Sequence, residues 1–352
     1  MTNNNPTKKQ HYVPRKYLRA WCQNDGKLFA KRYNAPAFKT KPEGVAFENA
    51  RYEFKTIEWE LFEAMIAHAK SKHGGHISQF VQSVLRLCMY ATVSESLITK
   101  RVLDDNAKRV IAACRRECLF DKQTNEAIRL VEFTDENQLG VPPEIDDLAN
   151  KFLIEGHEPL MSAVEHDFWP ILDRAQQGLL PIPLSDDDLE RFVTYVCAQL
   201  FRTPKFSSLL NRETPALEPI SPYLLVTTIN DLIVGMMTHK SENELSIIDN
   251  RSVLPFITGD QPLLNLLPKS DNPQYFDIFF PISPTKAFFY AQKGRLELYY
   301  PDLKTSEVAA IHRVNQCLCN NCTQFVFAST ADTLEHGGYA VPQRNNPDGT
   351  NH

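Results

Sequence analysis

The hydrophobic pattern of the chain changes from helical to strand-like spacing near residue 240, and this change most constrains the fold. From Thr56 to about residue 239, apolar residues recur at helical spacing over long stretches. From Leu245 onward, short runs rich in Phe, Tyr, Ile and Val are separated by turn residues, which is typical of β-strands. A further run, Leu28–Tyr33, predicts a strand before the helices. The pattern therefore predicts an α+β protein, with a helix-rich middle packed on a sheet built from N-terminal and C-terminal strands.

Helix boundaries follow from the same periodicity and from capping residues. Ser185 and the three acidic residues after it have the composition of a helix start, with an N-cap serine and an acidic first turn. Proline at position 204 should stop that helix after Thr203. We expect helices near residues 14–22, 56–72, 77–119 with a joint at 92–96, 143–155, 158–177, 185–203, 220–239 and 305–321.

The strands predict a single sheet. Several of the connections between them are short, so the sheet should be mostly antiparallel. Residues 36–49 are expected to form a loop. We expect strands at residues 28–33, 245–249, 253–258, 275–281, 286–292, 296–300 and 324–328.

The same pattern predicts the domain organisation. Residues 11–330 should form one large domain, with a helical layer at 55–240 and a sheet-containing part at 25–35 plus 245–330. Residues 1–10 should form a flexible tail, and residues 340–352 a loose tail.

Composition narrows the class of protein. The 352 residues are 43% hydrophobic and 23% charged, which is ordinary for a globular chain, and the formal net charge is -5. The chain has no strongly basic domain of the kind that binds nucleic acid, although a local basic patch remains an alternative. No export signal and no apolar run long enough to span a membrane is present, and the eight cysteines lie mostly inside apolar runs. We therefore expect a soluble cytoplasmic protein with reduced thiols and no membrane partner.

Two carboxylates stand out by their positions. On a helical projection Glu58 falls in the middle of an apolar arc that includes Ile57 and Leu61, where a carboxylate needs a partner or an elevated pKa. A structural salt bridge and a helix rotated toward solvent are the alternatives. Asp260 follows an apolar strand at a tight turn, a frequent place for functional carboxylates, but Asp also favours such turns through local hydrogen bonds.

Polar residues also border the helix that Ser185 begins. Arg191, Tyr195 and Arg202 line its boundary, and Gln199 lies on its flank. Two arginines on one edge could clamp a carboxylate or a phosphate, because the guanidinium fork suits both. Boundary arginines with buried stems and solvated heads are the alternative interpretation.

The most distinctive local feature is the His-Tyr-Val-Pro box, residues 11–14, directly before the first helix. His11 could serve as a general base, a metal ligand or a buried cap. A second local feature, the Cys319 and Cys322 pair with His312 two turns away, has half of a zinc pattern and no second pair. Half-buried thiols explain this pair more simply.

Several segments together resemble an uncharacterised, mainly bacterial family, domain of unknown function 4238. The box and the Tyr17-Leu18-Arg19-x-Trp21 sequence after it resemble the opening signature of that family. Further matches follow in order, and the resemblance spans residues 9–330. They are Ile57-Glu58, Gln199-x-x-Arg202-Thr203-Pro204, Phe256-Ile257-Thr258-Gly259-Asp260-Gln261-Pro262, with Gly259 for the usual Ser and Gln261 for Asn, and Pro281-Ile282-Ser283-Pro284.

The resemblance implies a family but no known reaction, and two hypotheses remain. In the first, the protein is a non-catalytic binding or sensor module with a buried polar network around the box, formed by His11, Glu58, Arg202 and Asp260. This network fixes the N-terminal segment against the helices and sheet or binds a small anionic ligand, and the ligand-binding residues are Tyr12, Arg191 and Gln199. In the second, it is a metal-dependent phosphoester hydrolase or nuclease, of a defence or toxin type, with a phosphate-bearing ligand or nucleic acid as partner. The second hypothesis makes His11 a base or metal ligand, has Glu58 and Asp260 hold a divalent cation, and has Arg202 stabilise phosphate charge. It requires these four residues to meet around an open cleft.

Overall fold

A computed structural model describes most of the chain. The described residues are 9–49, 56–72, 77, 79–100, 103–117, 119, 158–203, 205–206, 221–267, 276–339 and 341. The predicted helix at 143–155, residue 204, and most of the two predicted tails lie outside these residues.

Helices dominate the middle of the chain, as the periodicity predicts. They are α1 (Arg15–Leu18), α2 (Trp59–Lys72), α3 (Gln79–Lys100), α4 (Asp105–Arg116), α5 (Glu158–Gln177), α6 (Asp186–Phe201), α7 (Ser221–Thr238), α8 (Arg295–Tyr299), α9 (Pro301–Lys304), α10 (Val308–Asn321) and α11 (Ala331–His336). Short 3-10 turns at Arg19–Trp21 and Pro42–Gly44 accompany them.

Strands come from both ends of the chain, so the α+β class is confirmed. They are β1 (Lys9–His11), β2 (Leu28–Lys31), β3 (Phe38–Thr40), β4 (Phe47–Asn49), β5 (Asn243–Asp249), β6 (Thr258–Gly259), β7 (Leu264–Asn265), β8 (Ile278–Ser283), β9 (Lys286–Gln292) and β10 (Val326–Ala328). All of the described strand pairs in the two four-stranded sheets are antiparallel.

The prediction of a single sheet is wrong. Two four-stranded sheets form, in the orders β3-β2-β10-β6 and β5-β9-β8-β7, and β1 pairs with β4 separately. The first sheet joins the N-terminal strands to C-terminal ones, because β10 pairs with β2 on one side and with β6 on the other. The second sheet is built from C-terminal strands alone. Hydrophobic runs identify strands but do not identify the strands they pair with. The sequence pattern therefore does not distinguish two sheets from one.

Four predicted elements differ in the structure. The predicted strand at 253–258 is irregular as far as Ile257, and only Thr258 belongs to a strand, β6. The run at 296–300 is the helix α8, which begins after Gly294 in a left-handed conformation (φ 78°) and turns Leu296 inward while Leu298 and Tyr299 stay exposed. The region 36–49 is not only a loop, since it contains β3 and β4. Helix α3 runs unbroken through 92–96, and the joint comes later, where the Asp104 side chain caps α4 by accepting from Ala107 N at 2.8 Å.

The chain divides into two compact units, each made of three chain segments. Unit one comprises Met1–Gln10, Glu48–Ala163 and Ser208–Leu232, and unit two comprises His11–Phe47, Val164–Ser207 and Ile233–His352. In unit one, α2, α3 and α4 share an apolar core that includes Phe62, Leu85 and Val110.

Unit two places α5 and α6 against the second sheet through aromatic side chains. The Phe168 ring on α5 stacks on the Tyr195 ring of α6 with centroids 3.9 Å apart. Phe192, one turn earlier on α6, meets Phe288 of β9 edge-on at 5.2 Å. Such pairs contribute beyond their area burial, and here they set the rotation of α6 about its axis.

Neither a membrane-spanning helix nor a disulfide occurs in the part of the chain that the structure describes. None of its described helices is both long and apolar enough to cross a bilayer. Its seven described cysteines are free thiols, five of them buried.

Candidate functional site

Helix α6 presents three polar side chains on one buried face. The helix begins as the sequence predicts, with the Ser185 hydroxyl accepting from Asp188 N, and Arg202 is its C-cap residue. Tyr195, Gln199 and Arg202 follow at spacings of four and three residues, so they lie above one another on the same face. Their exposed fractions are only 1%, 1% and 2%.

This face holds the backbone of the His-Tyr-Val-Pro box. Gln199 Nε2 donates to the Tyr12 carbonyl at 2.8 Å, and Arg202 donates through one terminal nitrogen to the His11 carbonyl. Its other terminal nitrogen donates to the Glu165 carboxylate of α5 in an ion pair. We call His11, Tyr12, Glu165, Tyr195, Gln199 and Arg202 the box cluster.

His11 is half-buried at the edge of the cluster, with its ring 5.6 Å from that of Phe47. Burial, reinforced by the positive charges of Arg15 and Arg202, lowers the pKa of His11 from 6.5 to about 4. Glu43 and a hydrogen bond to the Val45 backbone act in the opposite direction. The imidazole is therefore neutral near pH 7.

Three polar atoms of the box cluster have no hydrogen-bond partner among the described residues. They are His11 Nδ1, Tyr195 Oη and Gln199 Oε1. Burial raises the pKa of Tyr195, with the Glu165 charge adding to this effect, so the hydroxyl keeps its proton. The cluster thus combines the Arg202–Glu165 ion pair with three polar atoms that have no hydrogen-bond partner among the described residues.

Asp260 is in unit two, but its carboxylate is already saturated. It is fully buried and accepts from Thr323 N (2.8 Å), Thr323 Oγ1 (2.6 Å), Gln324 N (2.5 Å) and Phe325 N (3.1 Å). Burial raises the pKa of Asp260, and these hydrogen bonds oppose the effect. The geometry is that of a carboxylate which orders the connection between α10 and β10.

Gly259, where the resemblance to the family leads us to expect a serine, is closely surrounded by other atoms. A side chain at this position would place its Cβ 2.9 Å from the Phe325 carbonyl oxygen, and closer still to Cys322 Sγ. The Cys322 thiol is fully buried beside the β6 backbone and leaves no space for a side chain at position 259.

Glu58 and Arg191 are exposed and do not belong to the box cluster. Of the alternatives for Glu58, exposure to solvent is the one that the structure shows, and burial in the apolar arc is not: Glu58 is exposed and precedes the first residue of α2, where its carbonyl accepts from Phe62 N at 3.0 Å. Glu58 also belongs to unit one. Arg191 is exposed, with its guanidinium 3.6 Å from Asp188, and it precedes Arg202 by a helical rise of roughly 16 Å. The two arginines therefore lie about three turns apart along α6.

The family-like segments of unit two are connected to one another. Lys205, just after the Arg202-Thr203-Pro204 segment, donates to the Asn321 side chain, and Asn321 Nδ2 donates to the Leu263 carbonyl at 3.1 Å. The Tyr17 hydroxyl is 2.6 Å from Thr258 Oγ1 and donates to the Pro281 carbonyl at 2.7 Å. The polar side chains of these segments therefore have hydrogen-bond partners within unit two.

The predicted metal-binding sets are not assembled in the part of the chain that the structure describes. Within it, no group of three or more His, Cys, Asp and Glu side chains is placed to hold a metal ion. This applies to His11, Glu58 and Asp260, and to Cys319 and Cys322 with His312. The His312 Nδ1 atom instead lies 3.2 Å from the Tyr339 hydroxyl.

Sequence reasoning missed Glu165, the partner of Arg202. A signal for it exists on α5, where Met161, Phe168 and Leu172 form a buried stripe at helical spacing. Position 165 belongs to the same stripe and carries a carboxylate, which requires a partner there. A helical projection of α5 therefore carries a sequence signal for Glu165.

Comparison with known protein families gives a match over most of the chain. Residues 9–219 and 213–332 match a family described as a protein of unknown function (DUF4238). No curated protein and no solved structure matches the chain.

Proposed function

The chain belongs to the DUF4238 family of proteins of unknown function, and we propose that it acts as a binding or sensor module with the box cluster as its ligand site. In this proposal, α6 and α5 hold the His-Tyr-Val-Pro box through Gln199 and Arg202. The ligand is taken up by the atoms that this network leaves open.

One observation carries the proposal: the box cluster keeps open polar atoms in a buried setting. Tyr195 Oη and Gln199 Oε1 belong to side chains that are 1% exposed, and no partner for either is found among the described residues. Leaving such an atom unpaired costs about 1–3 kcal/mol, and most buried polar atoms in proteins avoid that cost. A bound polar molecule would remove it.

The arrangement supports binding over phosphoester chemistry. Arg202 is engaged by Glu165 and by the His11 carbonyl, so it is not free to stabilise phosphate charge. Asp260 accepts four hydrogen bonds and has no free oxygen for a cation. The hydrolase hypothesis requires an Arg202 side chain that is free to contact phosphate and an Asp260 oxygen that is free to bind a cation.

We also propose a cytoplasmic location. The seven described cysteines are free, and they include five that are buried in apolar surroundings. Reduced thiols of this kind are typical of a reducing compartment.

The proposal is tested by native mass spectrometry of the full chain, purified without denaturation, together with a thermal-shift screen of small metabolites. We expect a retained small molecule, or stabilisation by at least one compound, and loss of that effect in Tyr195→Phe. At a hundred times its Kd a ligand stabilises by about 2.7 kcal/mol, which a thermal shift resolves. An absence of any retained or stabilising compound, or equal effects in both proteins, would contradict the proposal.

A further inference from the structure

We infer that residues 15–41 present a surface that binds the phosphate backbone of a single-stranded nucleic acid. The surface consists of five exposed or half-buried cations beside an edge strand that carries an exposed aromatic side chain. We call these five cations the basic surface: Arg15, Arg19, Lys27, Lys39 and Lys41. It shares no residue with the box cluster, so the inference goes beyond the proposed function.

Positive charge is concentrated in this part of the chain. The formal net charge of the whole protein is -5, yet residues 15–41 contain eight lysines and arginines and a single acidic residue, Asp25. The eight cations are Arg15, Lys16, Arg19, Lys27, Lys31, Arg32, Lys39 and Lys41. A segment of one sign within an acidic chain creates a local positive potential, which attracts a partner rich in negative charge.

Ion pairs within the protein use only part of the charge of the basic surface. Lys39 Nζ lies 2.8 Å from the Asp25 carboxylate, which also accepts from Lys27 N at 3.1 Å. Arg19 reaches Glu43 only at 4.0 Å. Both ion pairs are exposed, so solvent screens them. Among the described residues no carboxylate pairs with the other three cations, which are Arg15, Lys27 and Lys41.

The pairing of β2 with β3 aligns the lysines on one face. Phe29 of β2 lies directly opposite Lys39 of β3, and Lys39 Nζ is 5.6 Å from the centre of the Phe29 ring. Continuing this register by two residues places Lys27 opposite Lys41 on the same face, because side chains alternate along a strand. The backbone of Lys41 is extended (φ -91°, ψ 154°). Lys39 and Lys41 are therefore about 7 Å apart along the chain, close to the spacing of successive phosphates in an extended single strand.

The two arginines lie at the end of this ribbon. Gly44 N donates to the Lys41 carbonyl at 3.0 Å and closes the 3-10 turn that follows β3. Helix α1, which begins with Arg15, contacts this turn. Arg19 comes directly after α1 and reaches Glu43 of the same turn. The arginines therefore extend the line of lysines beyond Lys41.

An exposed aromatic side chain favours a single-stranded nucleic acid over other polyanions. Strand β3 is the edge of the sheet β3-β2-β10-β6 and pairs only with β2 among the described strands. Phe38 on this edge is 38% exposed and directly precedes Lys39. Unpaired bases stack on such rings while neighbouring cations contact the phosphates. The bases of a duplex are already stacked on one another, so a duplex would gain little from Phe38.

An anionic membrane is the other partner that a basic surface could fit. Helix α1 has only four residues, and Tyr17 and Leu18 on it are fully buried. It therefore has no apolar face that could insert into a bilayer. The exposed large apolar side chains of residues 15–41 are Tyr33 and Phe38, each about two-fifths exposed. These observations favour the nucleic acid.

Fluorescence anisotropy with the full-length protein tests the inference. The probes are a labelled oligothymidylate, an oligouridylate and a DNA duplex of equal length, and co-sedimentation with vesicles that contain phosphatidylserine tests the membrane. We expect the single strands to bind with a Kd of about 10⁻⁶–10⁻⁴ M and more tightly than the duplex. The logarithm of the association constant should fall with the logarithm of the salt concentration with a slope of about -3, as expected for four to five phosphate contacts.

Three variants locate the binding. Lys27→Gln combined with Lys41→Gln removes two cations that have no ion pair among the described residues. It should weaken oligothymidylate binding at least about tenfold at low salt and make the slope shallower by about 1.4. The matched control, Arg251→Gln with Lys293→Gln, removes the same charge from exposed residues after β5 and β9 and should bind as wild type. Phe38→Ala should weaken single-strand binding about fivefold or more and leave the slope unchanged.

Each outcome supports or overturns the inference. Equal losses in the two double variants would show that net charge, and not the basic surface, is responsible. A duplex that binds as tightly as the single strands, with no effect of Phe38→Ala, would overturn the preference for single strands. Binding to vesicles alone would identify a membrane as the partner, and no binding of any probe would also overturn the inference. The proposed function is decided separately, because none of these variants changes the box cluster.

Discussion

Individual polar residues of unit two differ in how far the protein itself satisfies them. Asp260 accepts four hydrogen bonds, and the Tyr17 hydroxyl contacts two oxygen atoms. Tyr195 Oη has no partner among the described residues. Removing a satisfied group leaves its partners unpaired, whereas removing an unsatisfied one relieves a cost. Substitutions at these residues should therefore change stability in opposite directions.

Tyr195→Phe should leave the free energy of unfolding unchanged or raise it by up to about 1 kcal/mol, since the lost hydroxyl is buried and unpaired in the absence of ligand. Urea denaturation of ligand-free protein measures this. The ring still stacks on Phe168, so packing is retained.

Tyr17→Phe is the matched control, because the same atom is removed from an equally buried tyrosine. It should lower the free energy of unfolding by about 1–3 kcal/mol, since the Pro281 carbonyl and Thr258 hydroxyl each lose a contact. Equal destabilisation by the two changes would show that Tyr195 Oη is paired in solution.

Asp260→Ala should be severely destabilising. Three backbone N–H groups, at Thr323, Gln324 and Phe325, would lose their acceptor, at a cost on the order of 3 kcal/mol or more. Thermal denaturation followed by circular dichroism measures the loss. Asp260→Asn should lose less, because one oxygen remains to accept.

The exposed Asp332→Ala is the control for the change of charge, and it should lie within about 0.5 kcal/mol of wild type. A catalytic rather than structural Asp260 would show the reverse pattern, with Asp260→Ala as stable as this control. That result would support a catalytic role for Asp260.

His11 should make the stability depend on pH. Its pKa in the folded protein is about 4, below its ordinary 6.5, so the unfolded chain binds a proton first as the pH falls. The stabilisation is fully present above pH 6.5 and is lost as the pH falls from about 6.5 to about 4. Since solvent screens this half-buried ring, we expect a loss on the order of 2 kcal/mol.

Urea denaturation at pH 7 and at pH 4.5 tests this expectation, with His11→Gln as the comparison. Glutamine keeps an N–H donor for Val45 but does not titrate. The pH-dependent loss should be smaller in the variant than in wild type, and identical losses would mean that His11 is not the group responsible.

At the scale of elements, α6 contributes most of the box cluster, because it carries Tyr195, Gln199 and Arg202 on one face. Its start was predictable from local chemistry, since Ser185 caps the helix through its own side chain. Its rotation was not, because this depends on Phe168 and Phe288 from elements far away in the chain. Local signals thus locate the helix, and packing orients it.

Ser185→Ala should lower the free energy of unfolding by about 1 kcal/mol, because Asp188 N loses the hydroxyl that caps it. Ser185→Asp supplies another capping oxygen and should recover most of this loss. Chemical denaturation of the three proteins checks the expectation, and an Asp variant no better than Ala would show that the cap contributes little.

At the scale of the whole molecule, β10 joins the two ends of the chain. Val326 pairs with Lys31 of β2 and with Gly259 of β6, so the strand has a partner on each side. A chain that ends at residue 323 should lose the β3-β2-β10-β6 sheet and fail to fold as wild type. A chain that ends at residue 341 should keep it. Circular dichroism and soluble yield compare the two, and a folded shorter chain would contradict a central role for β10.

The elements that the sequence predicted well are those with strong local signals. Strand β9 has the predicted bounds, 286–292, and α5 begins at the expected residue 158. The errors occur where local and tertiary preferences compete. The run at 296–300 has the composition of a strand, yet it follows a left-handed glycine and has no strand partner, so it forms a helix.

The sequence by itself determined the helix-rich α+β class, the capped start of α6 and the presence of polar residues at apolar places, because periodicity and capping act over a few residues. Only the tertiary structure decided what these polar residues do. It paired Arg202 with Glu165 and saturated Asp260 with the backbone after α10. It left Tyr195 and Gln199 with open atoms. Hydrogen-bond partners here are separated by tens to hundreds of residues, and no local pattern encodes distances of that kind.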